Sequence, residues 1–240
     1  MNDWDEFTKG CIFARTYEPV RAEGQMSAES VFQPNPAFEQ LYPRLTKLLK
    51  KARLTRLQTA RGERHLLGWT DVTGRFIGWL VFPPGYEGSY KASSDLHSDH
   101  KLLLNYFGGV DETSYAPELE QAIPDFGCDS QWTLNLNFWL GERDCELGID
   151  SWDVYFEMLQ EFFENPIDPN DFITFAVEAN GNSSAYNKRD GTLILFAHDH
   201  AFSYVSPYPG CPSGLYTFNN CAKFSDWIET VAGQWSELIS

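Results

Sequence analysis

The chain has 240 residues, of which 42% are hydrophobic and 22% are charged, and its formal net charge at pH 7 is −16. This composition is typical of a globular protein that buries a core without cross-links, and so acidic a surface disfavours binding to nucleic acid. The five cysteines form no C-x-x-C pair, so we expect neither disulfides nor a zinc knuckle. No apolar run approaches the ~20 residues of a membrane helix, so we expect no membrane partner. Because the first residues also carry no secretion-signal pattern, we expect a cytoplasmic protein.

The first part of the chain, residues 1–90, is predicted to be an N-terminal extension that packs on the main domain. Asn35 and Pro36 are typical of the N-cap and the first position of a helix. Apolar residues then recur at helical spacing, and Pro43 either divides this stretch into two helices or marks its true start. Basic side chains fall together on the polar face of this helix: Arg44, Lys47 and Lys51.

A β-hairpin is predicted next, over residues 65–82, with its turn at Thr73-Gly74. Ser94 can cap a following helix through residues 95–107, and Gly108 is expected to end that helix as its left-handed C-terminal residue.

The remaining elements alternate between strands and helices. Residues 132–140 alternate between apolar and polar types, which predicts a half-buried strand, and residues 151–165 form an amphipathic pattern that predicts a helix. Three short apolar runs predict a meander of strands near residues 172–178, 183–187 and 192–197.

A last short strand is predicted at residues 215–218, followed by a C-terminal helix with an aromatic seam over residues 224–238. Because tight turns join consecutive strands as antiparallel neighbours, we predict an α+β fold with a single twisted, mostly antiparallel sheet and helices packed on one side. The main domain is assigned to residues 91–240.

The charges are unevenly distributed along the chain. Residues 44–64 hold eight Lys or Arg and one acid, whereas residues 111–178 hold seventeen Asp or Glu and a single basic residue, Arg143. An acidic surface of this kind can steer the encounter with a basic protein, or it can serve only to keep the protein soluble.

The sequence contains one candidate for a catalytic or metal site, the triplet His198-Asp199-His200. On a strand the two histidines would point to the same face, but a metal site needs further ligands, and the sequence supplies no His-x-x-x-His or His-Glu-x-x-His motif. No nucleophile elbow or phosphate loop is present, and no pair of carboxylates stands out. We therefore expect no cofactor, no metal and no catalytic residue.

Four short stretches together carry a resemblance to a known family. They are Tyr106-Phe107-Gly108-Gly109, then Phe175 to Glu178 with the turn Asn180-Gly181-Asn182, then Asp190-Gly191 with His198-Asp199, and last the helix with Phe224, Trp227 and Ile228. In this order and spacing, over roughly residues 95–236, the chain resembles the SUKH superfamily, many bacterial members of which are immunity proteins that neutralise toxins. The resemblance implies structural roles for Phe107, Gly108, Gly109, Glu178, Asn180, Gly181, His198, Asp199 and Trp227.

The sequence and the resemblance together predict a non-enzymatic immunity protein that sterically blocks a cognate bacterial toxin with a basic surface, such as a nuclease. The predicted toxin-binding residues are Asp111, Glu112, Tyr115, Glu118, Trp139, Asp144 and Glu146. Two alternatives stay open: a non-catalytic scaffold or regulatory domain that binds a cellular protein, and, third, a metal-dependent hydrolase that uses His198 and His200.

Overall fold

A computed structural model gives the fold of residues 2–10, 19–27, 32–84, 96–106, 108–114, 138–141, 146–147, 161, 167–178, 183–197, 205–211 and 214–239. For residues 19–25, 138–141, 146–147, 169 and 177–178 it describes the backbone alone. The described residues contain five α-helices and two sets of antiparallel strands, so the predicted α+β class is confirmed.

The described helices are α1 (Asp3–Gly10), α2 (Pro36–Leu41), α3 (Pro43–Lys50), α4 (Ser98–Leu104) and α5 (Phe224–Leu238). The strands are β1 (Pro19–Ser27), β2 (Arg53–Thr59), β3 (Gly62–Thr70), β4 (Phe76–Val81), β5 (Gly109–Ser114), β6 (Phe138–Gly141), β7 (Glu146–Leu147), β8 (Phe172–Glu178), β9 (Ser183–Asn187), β10 (Leu193–Phe196), β11 (Val205–Pro207) and β12 (Leu215–Phe218). A 3-10 turn, Pro169–Asp171, precedes β8. No helix among these residues is both long and apolar enough to cross a membrane.

The chain divides into two compact units. Unit 1 comprises residues 1–86, 102–122 and 228–240, and unit 2 comprises residues 87–101 and 123–227. The predicted boundary at residue 90 falls in a stretch outside the described residues, and it stays a prediction.

Unit 1 contains an antiparallel sheet in the order β1-β2-β3-β4-β5. The predicted hairpin is confirmed as β3 and β4, in which Thr70 pairs with Phe76. The turn is organised by Asp71, whose Oδ1 accepts hydrogen bonds from the Thr73 and Arg75 backbone N–H groups, each at 2.8 Å. Gly74 takes a φ of +85°, a conformation that a residue without a Cβ adopts at little cost.

Both faces of the unit 1 sheet are covered by helices. On one face, Trp4 and Phe7 of α1 pack against Leu57, Leu66 and Leu80. On the other face, the rings of Trp69 and Trp79 lie 5.2 Å apart between centroids, and Trp235 of α5 lies within 6.0 Å of both. The Trp69 indole N–H also donates to the Leu48 carbonyl of α3 at 3.0 Å. No pattern in the sequence predicts α1, which supplies the helix on the first face.

Unit 2 contains the predicted meander, confirmed as β8, β9 and β10, within a sheet in the order β6-β8-β9-β10-β12-β11; β7 also pairs with β8. One face carries an apolar core of Phe172, Ala185, Ile194, Phe196, Cys211 and Leu215. The other face carries an aromatic cluster, in which Phe175 lies 5.0 Å from Phe224 and 5.2 Å from Trp227, measured between ring centroids.

Several element boundaries test the sequence predictions. Asn35 is the N-cap of α2, because its side chain accepts a hydrogen bond from the Phe38 N–H at 2.8 Å, and Pro43 begins a second helix. The strand at residues 215–218 and the helix at residues 224–238 are confirmed. The helix before Gly108, however, ends at Leu104, so Gly108 is not its C-terminal residue.

Other predicted elements are only partly described. Of the strand predicted at residues 132–140, only the end is described, as part of β6. The helix predicted at residues 151–165 lies outside the described residues apart from Glu161, which is in a turn.

Candidate functional site

Two of the predicted toxin-binding carboxylates, Asp111 and Glu112 of β5, are interior side chains. Asp111 is 0% exposed, and its Oδ2 accepts a hydrogen bond from Arg64 Nε at 3.1 Å. The Arg64 guanidinium lies 4.1 Å from the centroid of the Phe82 ring and donates from Nη1 to the Glu63 carbonyl at 2.8 Å. Glu112 is 7% exposed. Neither carboxylate is displayed on a surface. The prediction is therefore corrected: Asp111 and Glu112 are core residues and not binding residues.

The side chains of the other five predicted toxin-binding residues are not among those that the structure describes. Trp139 lies in β6 and Glu146 in β7, where the backbone alone is described. Tyr115, Glu118 and Asp144 lie outside the described residues. All five stay predictions.

The residues given structural roles by the resemblance are partly described. Gly109 has a φ of +117°. Two backbone hydrogen bonds join the Gly108-Gly109 pair to Phe82: Phe82 N–H donates to the Gly109 carbonyl at 3.0 Å, and Gly108 N–H donates to the Phe82 carbonyl at 2.9 Å. Trp227 is fully buried. Glu178 pairs with Phe138 through the backbone. The remaining positions lie outside the described residues: Phe107, Asn180, Gly181, His198 and Asp199.

The metal alternative rests on His198 and His200, which also lie outside the described residues. Of the other histidines, His97 and His100 are both in unit 2. His100 is fully buried, its ring stacks on Phe224 at 4.3 Å, and its Nδ1 lies 3.2 Å from the Tyr186 hydroxyl. Burial, with a smaller effect from His97, lowers the pKa of His100 to about 3. His97 donates from Nε2 to the Asn187 carbonyl at 3.1 Å. Both side chains therefore brace the aromatic face of unit 2.

The two described cysteines, Cys211 and Cys221, are free and buried. Burial, reinforced by the negative charge of Asp226, raises the pKa of the Cys221 thiol well above its usual range. A thiol in this state is a poor nucleophile at neutral pH.

The predicted basic face of α3 lines a concave surface of unit 1. Arg44, Lys47 and Lys51 surround a pocket of about 350 Å³, which the C-terminal part of α5 closes with Gly233, Ser236 and Glu237. Among the described residues these three cations form no ion pair. Lys47 and Lys51 lie at the C-terminal end of α3, where cations are favoured by the helix dipole, and this accounts for them without a ligand.

A second, mainly apolar pocket of about 230 Å³ lies elsewhere in unit 1. Its described lining consists of Phe32, Gln33, Leu49, Leu54, His65, Leu67, Val81, Pro84, Asn105 and Tyr106. No pattern in the sequence predicts this pocket, because its walls come from segments far apart in the chain. In RLTRLQT, which forms β2, the two leucines are three positions apart and do not alternate, so no local pattern places Leu54 beside Leu67.

Comparison of the chain with protein-family models, with curated proteins and with solved structures finds no match.

Proposed function

We propose that this protein is an immunity protein that binds a cognate bacterial toxin with a basic surface and blocks it sterically. The observation that carries the proposal is the charge of residues 111–178, which hold seventeen acids and one basic residue. An acidic surface raises the rate of encounter with a basic protein and disfavours acidic competitors. The resemblance to the SUKH superfamily supplies the class of partner.

The burial of Asp111 and Glu112 narrows the proposed contact set. The charge of Asp111 is offset by Arg64 at 3.1 Å, and Glu112 is only 7% exposed, so neither side chain is available to a partner's surface. The proposed contacts are therefore Tyr115, Glu118, Trp139, Asp144 and Glu146. In this proposal the acids accelerate association, and the two aromatic side chains supply most of the affinity.

The direct test is co-expression with the toxin encoded by the adjacent open reading frame. We expect cells that carry this protein to survive toxin expression, and we expect the purified pair to associate more slowly as salt is raised, since screening weakens steering. Survival no better than with an empty vector would exclude the proposal.

Charge-reversal variants test the location of the binding surface. Glu118→Lys lies within the acidic segment, and Glu237→Lys, an exposed residue of α5, produces the same change in net charge outside it. We expect the association rate constant to fall at least threefold more in Glu118→Lys than in Glu237→Lys at low salt. Equal effects would show that total charge, and not this segment, governs recognition.

A further inference from the structure

The apolar pocket of unit 1 has a floor made by one face of the sheet. His65 and Leu67 of β3 are two residues apart and therefore share a face. Val81 lies directly opposite His65 on β4, and Leu54 lies directly opposite Leu67 on β2. Leu49 of α3 adds a further aliphatic wall. Four aliphatic side chains and one imidazole thus surround the same space.

Another part of the lining is aromatic and is held in place by hydrogen bonding and ring contacts. The Tyr106 ring lies 4.4 Å from Phe38 and 5.7 Å from Phe32, measured between centroids. The Tyr106 hydroxyl accepts a hydrogen bond from the Asn35 N–H at 2.7 Å. Because Asn35 is also the N-cap of α2, the wall is tied to a helix and is preorganised.

One polar group inside this lining is oriented by a neighbour. His65 Nε2 lies 2.9 Å from Oε1 of Glu63, on the same face of β3, and the His65 side chain is 13% exposed. When an imidazole is neutral and its Nε2 is bonded to a carboxylate, the proton is on Nε2 and Nδ1 is an acceptor. Among the described residues nothing donates to Nδ1.

The volume limits what the pocket can hold. An apolar cavity of ~150 Å³ binds benzene, so about 230 Å³ accommodates one aromatic ring with a small substituent. Larger, drug-sized ligands occupy clefts of ~300–1,000 Å³.

We propose that this pocket binds a small aromatic ring that carries one O–H or N–H donor, as in a phenol or an indole. The ring lies between the aliphatic floor and Tyr106, and the donor bonds to His65 Nδ1. The ligand is either a free small molecule or a Tyr or Trp side chain presented by a bound protein. The inference does not depend on the proposed toxin.

The test titrates the full-length protein with p-cresol and with toluene, which has the same ring and methyl group but no donor. Methyl resonances of Leu54, Leu67 and Val81 report binding by NMR. We expect p-cresol to bind about threefold to tenfold more tightly than toluene, the net value of one hydrogen bond. Absence of shifts at these methyl groups, or equal affinities of the two ligands, would overturn the proposal.

Variants separate the role of His65 from that of the cavity. His65→Phe keeps a ring and removes both nitrogens, so toluene should still bind while the preference for p-cresol disappears; a retained preference would contradict the assignment of Nδ1. Gln33→Trp, at an exposed position of the lining, should block both ligands, whereas Gln40→Trp, exposed on α2 and outside the lining, should bind both as the parent chain does.

The source of the ring is distinguished with N-acetyl-tyrosinamide. If it shifts the same methyl groups with an affinity within tenfold of that of p-cresol, the pocket admits a side chain attached to a backbone. If p-cresol binds and N-acetyl-tyrosinamide does not, the ligand is a free small molecule.

Discussion

Two full charges, on Arg64 and Asp111, lie inside unit 1 with exposed fractions of 1% and 0%. Removing charges from water is costly, and the pair offsets that cost through its mutual attraction, the bonds from Arg64 to backbone carbonyls and the contact with Phe82. Asp111, one of the seventeen acids in residues 111–178, is therefore the counter-ion of the buried Arg64 guanidinium.

Replacement of Asp111 by Asn should strongly destabilise the fold, because it removes the negative charge that pairs with the buried Arg64 guanidinium. We expect a loss of about 3–5 kcal/mol in the free energy of unfolding, measured by urea denaturation. Lys50→Met is the control, since it breaks an exposed pair with Glu39 whose side chains are 39% and 44% exposed, and it should cost under about 1 kcal/mol. Similar losses in both variants would contradict the buried-pair argument.

We expect the buried imidazole of His100 to make the stability of the protein depend on pH. Its folded pKa of about 3 lies below the ordinary 6.5, so between these values the unfolded state binds the extra proton. Stability from neutral His100 is complete above pH 6.5 and is lost as the pH falls through this window. The loss amounts to about 1.4 kcal/mol for each pH unit.

His100→Phe should remove this dependence while retaining a ring against Phe224. Between pH 7.5 and pH 5.0, we expect the parent chain to lose about 2 kcal/mol more unfolding free energy than the variant, as measured by urea denaturation at each pH. Parallel losses in the two proteins would show that His100 does not govern acid sensitivity.

At the scale of elements, the N-terminal end of α3 is capped by a side chain of another helix, α5. Its N-cap residue, Tyr42, makes no side-chain cap. Instead, the Glu229 carboxylate of α5 accepts hydrogen bonds from the Arg44 N–H at 2.8 Å and from the Leu45 N–H at 3.0 Å. A carboxylate at this position also interacts favourably with the positive end of the helix dipole.

Glu229→Ala should therefore cost about 1–2 kcal/mol, the usual value of a lost helix cap, and Glu229→Gln should cost less because an acceptor oxygen remains. Thermal and urea unfolding provide the measurement. Glu237→Ala, at an exposed position on the same helix, is expected to stay within about 0.5 kcal/mol of the parent. A Glu229→Ala protein as stable as Glu237→Ala would exclude a capping role.

The elements that the sequence predicted correctly are those with local signals. Asn35-Pro36 starts α2, Thr73-Gly74 turns the hairpin, and the aromatic period marks α5. By contrast, α1 has only two buried residues, Trp4 and Phe7, too few for a visible period. The burial of Asp111 and the apolar pocket depend on strand register and on contacts between distant segments, which a single sequence does not encode in any short motif.

At the scale of the whole molecule, unit 1 is discontinuous in sequence. Its core receives Trp235, from the last part of the chain, beside Trp69 and Trp79 of the hairpin. The end of the chain is also fixed by backbone bonds, since Val72 N–H donates to the Leu238 carbonyl at 2.9 Å and Ile239 bridges to Asp71. The strands of the hairpin thus pack against a residue that lies more than 150 positions later in the sequence.

Trp235→Ala tests this dependence, because it opens a cavity against two rings that lie more than 150 positions earlier in the chain. We expect a loss of about 3–5 kcal/mol in unfolding free energy. Hydrogen–deuterium exchange should accelerate in β2, β3 and β4, since their protection is limited by the stability of the unit that contains them. Glu237→Ala, two residues further along the same helix, should leave that exchange unchanged. Protection of β2 to β4 that is equal in the two variants would mean that the hairpin is stable without its C-terminal partner.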